Sequence, residues 1–251
     1  MGSIAIGVGV AILMFGSGVI GLLLQRVLAE HHTSERSRDM IRGIVELVTL
    51  LLTLVLGLLI WTAYGVFTNQ QMELQTLSAR ALELDLELAQ YGPEAKRGRD
   101  ILKNDLSLAV AQFWGKDEAM SQTYDASYAM MNSMTSVLGG LHPANDAQKT
   151  LLEDAHTHYG SIGETRLLMS LQLTSPVSWP LLIGTTAWSC LLFCGLGLLS
   201  RANATTVAAL ALGAFSVASA IFLILELSQP YTSLLRISPA GLEMVIAGID
   251  K

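Results

Sequence analysis

Charge is scarce in this sequence. Only 14% of its 251 residues are charged, against about a quarter in an ordinary soluble domain. So little charge excludes a soluble enzyme and a charge-rich disordered chain, and the composition fits no collagen-like repeat. Cysteine is also scarce. Cys190 and Cys194 stand one helical turn apart inside an apolar run, which excludes a disulfide framework and marks them as small packing residues rather than metal ligands. Basic residues number 15 against 21 acidic ones, for a formal charge of −6. No basic stripe exists to meet phosphates, so nucleic acid is not an expected partner. His31 and His32 are adjacent, and His156 and His158 are two apart, so neither pair shares a helix face and zinc-type spacing is absent. Met120, Met130, Met131 and Met134 read as adaptable core filler rather than copper ligands. No glycine-rich phosphate loop, nucleophile elbow or triad stands out. The expectation is a protein that is not an enzyme, with no catalytic residues, no cofactor and no bound metal.

What the chain does have is apolar length. Four blocks, Ile4–Leu24, Gly43–Phe67, Val177–Ser200 and Ala202–Leu225, are each long enough to cross a bilayer, which takes about 20 residues at 1.5 Å each. The last of them extends as a span to residue 227. Nothing basic precedes the first block and no small-residue cleavage site follows it, so it reads as a retained helix rather than a signal peptide. Arg26, Arg36, Arg38 and Arg42 lie between the first two blocks and Arg201 between the last two. Arginines gather on the cytoplasmic side of a membrane. The expected topology therefore places both termini and the long central segment outside the cytoplasm. Trp61, Tyr64, Phe67, Trp179 and Tyr231 fall at the opposite interface, where amphipathic rings prefer to sit.

The central segment, 68–176, reads as a helical domain. Leu74, Leu77, Ala81, Leu84 and Leu88 alternate at spacings of three and four, the seam of an amphipathic helix running straight out of the second span. Gly92-Pro93 stops it. Further helices are expected over about 94–114, 116–137 and, capped by Asn145 or Asp146, from there to about residue 173. Thr68–Ser175 holds 8 basic and 14 acidic residues, either a plain solvated surface or a vestibule that concentrates cations. The predicted fold is all-α: four transmembrane helices, with a helical domain inserted between the second and third spans. The organisation is 1–67 (spans 4–24 and 43–67), 68–176, 177–227 (spans 177–200 and 202–227) and a C-terminal tail, 228–251.

The second span carries the most information. Glu46, Thr49, Thr53, Gly57, Ile60 and Tyr64 recur at i, i+3, i+7, i+11, i+14 and i+18, so a polar stripe runs along one face of a leucine-rich helix. Such a stripe is costly against hydrocarbon and is tolerated facing water or a bundle interior; ordinary packing, with hydroxyls returned to the backbone, is the alternative. Arg42 precedes Glu46 by four residues and suits a local ion pair. Glu226, at the far end of the fourth span, can snorkel, pair with Arg236 or join a carboxylate ring at a pore entrance. Gly9, Gly16, Gly18 and Gly21 in the first span and Gly195 and Gly197 in the third point to closely approaching helices, as do Ala208, Ala211, Ala214, Ala218 and Ser219 in the fourth. Four spans leave little room for a pore in a monomer, so conduction requires a homo-oligomer.

Several stretches resemble a known family: EHHTSE at Glu30–Glu35, VLGLLI at Val55–Ile60, LAQYGPEA at Leu88–Ala95, ANDAQ at Ala144–Gln148, ETRLLM at Glu164–Met169, and AIFLILELSQPY with LLRISPAGL between Ala220 and Leu242. The chain is similar to the bestrophin-like family, bacterial multi-pass membrane proteins distantly related to bestrophin channels. The resemblance implies an ion channel in the bacterial cytoplasmic (inner) membrane, built as a ring of subunits, pentameric in bestrophins, with the second span lining the pore. Bestrophins keep their helical body in the cytosol and are best known for passing anions. Here the arginine distribution places that body outside, and the acidic charge favours cations. The expected partners are inorganic ions, the lipid bilayer and further copies of the chain. The rival reading is a non-conducting scaffold or sensor whose insert binds a partner or ligand.

Overall fold

A computed structural model describes residues 2–27, 35–115, 132–173 and 178–249. They are helical, with no strand among the described residues. In chain order the elements are α1 (Ser3–Val27), α2 (Glu35–Tyr91), a short 3-10 turn (Pro93–Ala95), α3 (Lys96–Trp114), α4 (132–139), α5 (Asp146–Leu173), α6 (Trp179–Leu199), α7 (Ala204–Leu227) and α8 (Ala240–Gly248). Four of them, α1, α2, α6 and α7, are long and apolar enough to cross a membrane. The expected helix over 116–137 lies outside the described residues except for its end, which stops at Gly139.

The chain divides into two compact units. The first takes its described residues from Met1–Val66 and Pro176–Ser228. Here α1 packs against α6 and α7. The α1–α6 contact is made by backbones. A Cβ on Gly21 would collide with the Cys194 carbonyl, and one on Gly197 with the carbonyl of Gly18, so glycine is required for the helices to meet at this depth. Gly195 opens space for Val45 of α2. Gly9 and Gly16 face open space within the chain. In α7, Ala214 and Ala218 are buried as expected, whereas Ala208, Ala211 and Ser219 are exposed. Large apolar residues such as Ile12, Leu13, Leu191, Leu212 and Phe215 point outward, the arrangement of a bundle whose solvent is lipid.

The second unit comprises the described parts of Phe67–Ser175 and Gln229–Lys251. Its core is built on the seam read from the sequence. Leu74, Leu77, Ala81, Leu84 and Leu88 of α2 are all buried, together with Leu102 and Leu106 of α3, Met134 and Leu138 of α4, and Ala155, Tyr159, Ile162 and Met169 of α5. Each fully buried leucine contributes about 1.5–3 kcal/mol. The α2 helix ends at Tyr91 because Gly92 adopts a φ of 126°, which glycine alone adopts readily. Asn145 caps α5, its Oδ1 accepting from the Gln148 N–H at 2.8 Å. The Gln148 amide in turn donates to the Tyr91 carbonyl at 2.8 Å, tying the start of α5 to the end of α2.

Residues 229–249, expected as a tail, belong to this second unit. Tyr231, Ile237, Leu242, Val245 and Ile249 complete its core, and the Trp114 indole donates to the Ile237 carbonyl at 2.7 Å. Short apolar runs broken by Pro230, Pro239 and Gly241 carry no strong helical period, so their burial is invisible in the sequence.

Candidate conduit face and its supports

Alone in its subunit, the span of α2 is the least covered of the four. Leu52, Leu59 and Ala63 are buried, and the rest of that stretch is open or partly open. Glu46, Thr49, Thr53, Gly57 and Tyr64 are exposed, and Ile60 is half-buried. The structure therefore keeps the polar stripe on one uncovered face. Leu47, Leu50, Leu54, Leu58 and Trp61 are exposed too, so the helix is open on several sides. The Thr49 hydroxyl donates to the Val45 carbonyl at 2.7 Å and the Thr53 hydroxyl to the Thr49 carbonyl at 2.8 Å. Each donor is used within the helix, which leaves the hydroxyl oxygens as weakly polar acceptors along the face. At Gly57 no atom lies within 4 Å of an added Cβ, so the stripe has a notch at its middle.

One carboxylate departs from expectation. Arg42 pairs with Asp39 at 3.8 Å rather than with Glu46, because the i, i+3 partner competes for the same guanidinium; Glu46 stays exposed on the stripe. Glu226 is only 2% exposed and is not without an interacting partner. Within one subunit its carboxylate is not presented to water, unlike a side chain at an open entrance. Tyr231 is likewise buried.

The polar side chains that sequence reasoning missed lie just beyond the apolar stretch of α2. Gln70 is 0% exposed. Its Oε1 accepts from the Tyr231 hydroxyl at 2.7 Å, and its Nε2 donates to Gln172 Oε1 at 2.9 Å and to the Met169 carbonyl at 3.3 Å. Gln172 then donates to Glu73 at 2.7 Å. Four side chains thus bind α2, α5 and the Tyr231 segment by a continuous chain of hydrogen bonds. The Tyr231 ring also stacks edge-on against Trp114, with centroids 4.9 Å apart. Burial, with Glu73 nearby, pushes the Tyr231 hydroxyl well above the usual tyrosine range. A lone glutamine in a sequence gives no sign of such a role.

Charge in the second unit is internally balanced at depth. Arg99 forms a fork on Asp85, at 2.6 and 3.1 Å, and donates to the Ile249 carbonyl at 2.9 Å. Arg166 of α5 meets Asp105 of α3 at 2.6 Å. The acidic excess therefore shows at the surface, through Glu94, Asp100, Asp146, Glu153, Asp154 and Glu164, all exposed. Among the described residues no group of three or more His, Cys, Asp or Glu is placed to hold a metal.

A profile of the bestrophin-like domain matches residues 12–242, both hairpins and the helical insert alike. The chain belongs to the bestrophin-like family. No curated protein matches it. Among solved structures, this bestrophin-like chain is similar to a variant of a bacterial bestrophin homologue from Klebsiella pneumoniae, with 14% identity, a TM-score of 0.69 and coverage of 96% of this chain and 97% of the other. A second variant of that homologue gives a TM-score of 0.68 at 14% identity, covering 98% and 99% of the two chains. A crystal structure described only as a membrane protein gives a TM-score of 0.69 at 14% identity, covering 97% of each. At this identity the likeness establishes a shared fold.

Proposed function

We propose that this bestrophin-like protein is an ion channel of the bacterial inner membrane, assembled as a homo-oligomer with α2 around a central conduit. The observation that carries the reading is the stripe of Glu46, Thr49, Thr53, Gly57, Ile60 and Tyr64, which one subunit leaves largely uncovered along a bilayer-length helix. Uncovered polar groups at that depth favour water or another copy over lipid. Family membership supports the same assignment, and a pentamer is the assembly taken from bestrophins. Exposed carboxylates on the second unit favour cations. Glu226, buried in the subunit, contributes little to that preference unless assembly exposes it. The arginine distribution puts both termini and the second unit outside the cytoplasm, so a reporter fused after Lys251 is active only in that compartment.

The deciding experiment is ion flux through liposomes containing purified protein. Thr53→Trp places a bulky ring at mid-stripe and abolishes flux while the oligomer, sized by light scattering, stays intact. Flux through wild type and variant alike removes α2 from the conduit. Silent liposomes holding a correctly assembled oligomer favour the scaffold or sensor.

A further inference from the structure

His158 stands on α5 where that helix faces the extramembrane part of α2. Its Nδ1 lies 2.7 Å from Glu87 Oε1 and its Nε2 3.4 Å from Glu83 Oε2. Glu83 and Glu87 are one turn apart on α2 and share a face. A neutral imidazole carries a single N–H, so one ring nitrogen would turn its lone pair toward a carboxylate. Only the imidazolium donates from both nitrogens at once.

Among the described residues His158 is the cation that acts on Glu87. The charges acting on it are His158, Glu83 on its own helix, and Asp154, one turn before the ring on α5. The second oxygen of Glu87 is buried without a partner. Desolvation pushes the Glu87 carboxyl above its usual range, and His158 draws it back down. The His158 side chain is 24% exposed, so the ring exchanges protons with solvent.

We propose that His158 is a proton-operated pin between α5 and α2: the imidazolium holds both Glu83 and Glu87, and loss of its proton to solvent gives up the Glu83 contact and leaves a single neutral N–H bond to Glu87. The effect on conduction rests on the channel reading, because α2 is one helix from Glu35 to Tyr91 and its membrane part carries the stripe.

Hydrogen exchange on the full-length protein in liposomes tests the pin without reference to flux. With rates corrected for the intrinsic effect of pH, amides over 83–91 and 152–165 exchange about tenfold faster at pH 8.5 than at pH 6, the effect of one charge-assisted hydrogen bond. His158→Gln gives the fast rate at both values, and His158→Lys, a fixed cation, gives the slow rate at both. Equal protection of wild type at the two pH values, or a pH dependence that survives His158→Gln, overturns the pin. Flux on the same liposomes separates the two ideas. A pH dependence of flux that vanishes in His158→Gln supports the link to conduction. If exchange responds but flux keeps its pH dependence in His158→Gln, the link is overturned. If exchange responds and no ion passes at any pH, the channel reading falls and the pin stands.

Discussion

Replacing Arg166 by methionine isolates a deeply placed ion pair of the second unit. Arg166 Nη1 sits 2.6 Å from Asp105 Oδ1, with the side chains only 12% and 3% exposed. Methionine keeps much of the stem's volume and removes the charge, leaving a carboxylate that is itself only 3% exposed without its guanidinium. Breaking a buried pair from one side costs about 3–5 kcal/mol. The ceiling has a simple origin. A carboxyl left without its partner takes up a proton instead, and protonating an ordinary aspartate at pH 7 costs about 4 kcal/mol. The paired change Asp105→Leu with Arg166→Met removes both charges and returns stability to within about 1 kcal/mol of wild type. The assay is denaturant unfolding of the full chain in detergent micelles. With Trp61, Trp179 and Trp188 replaced by phenylalanine, Trp114 alone reports on the second unit. A single variant costing under about 1 kcal/mol, or a double variant no better than the single, refutes the reasoning.

Two further outcomes follow from the geometry. Gly21→Leu drives a side chain into the Cys194 backbone and separates α1 from α6, costing about 3 kcal/mol, whereas Gly9→Ala enters open space and changes stability by less than about 0.5 kcal/mol; thermal melts of the two variants in micelles decide, and equal melts contradict the helix contact. Burial raises the hydroxyls of both Tyr159 and Tyr231, so the folded state holds these protons more tightly than the unfolded chain. Their contribution is complete below about pH 10, the ordinary tyrosine value, and declines as pH rises above it. Helicity followed by circular dichroism should therefore fall in alkali, and less steeply in Tyr231→Phe; a variant with the wild-type profile shows that Tyr231 ionises freely.

Regular features were readable in advance because they obey a period. The four spans announce themselves by unbroken apolar length, and the α2 seam by its three-four alternation, which all five residues confirm by burial. The stop at Gly92 and the cap at Asn145 followed from local backbone chemistry. Contacts between distant segments were not readable. Gln70 reaches Tyr231 across 161 positions, and Arg166 reaches Asp105 across 61; neither spacing carries a periodic signal. The burial of Glu226 within the subunit was not readable either, because position at a span's end says nothing about what covers it. The glycines divided for the same reason: Gly21 and Gly9 look alike in sequence, yet only Gly21 meets a neighbouring backbone. Of the stretches that resemble the family, LAQYGPEA, ANDAQ, ETRLLM and LSQPY coincide with the helix stop, the cap, the buried arginine and the tyrosine bond, while VLGLLI carries Gly57 and Ile60 of the stripe.

The extramembrane core draws on chain from both sides of the α6–α7 hairpin, and this orders events during biosynthesis. When the ribosome has finished α5, the pocket that Leu242, Val245 and Ile249 will occupy is still vacant. It stays so while α6 and α7 are threaded into the bilayer, and a partly built domain waits with apolar surface showing, the condition in which chains misassociate. Only after synthesis passes Ile249 can the last wedge be driven home, which makes maturation of this domain a late checkpoint on correct insertion of the second hairpin.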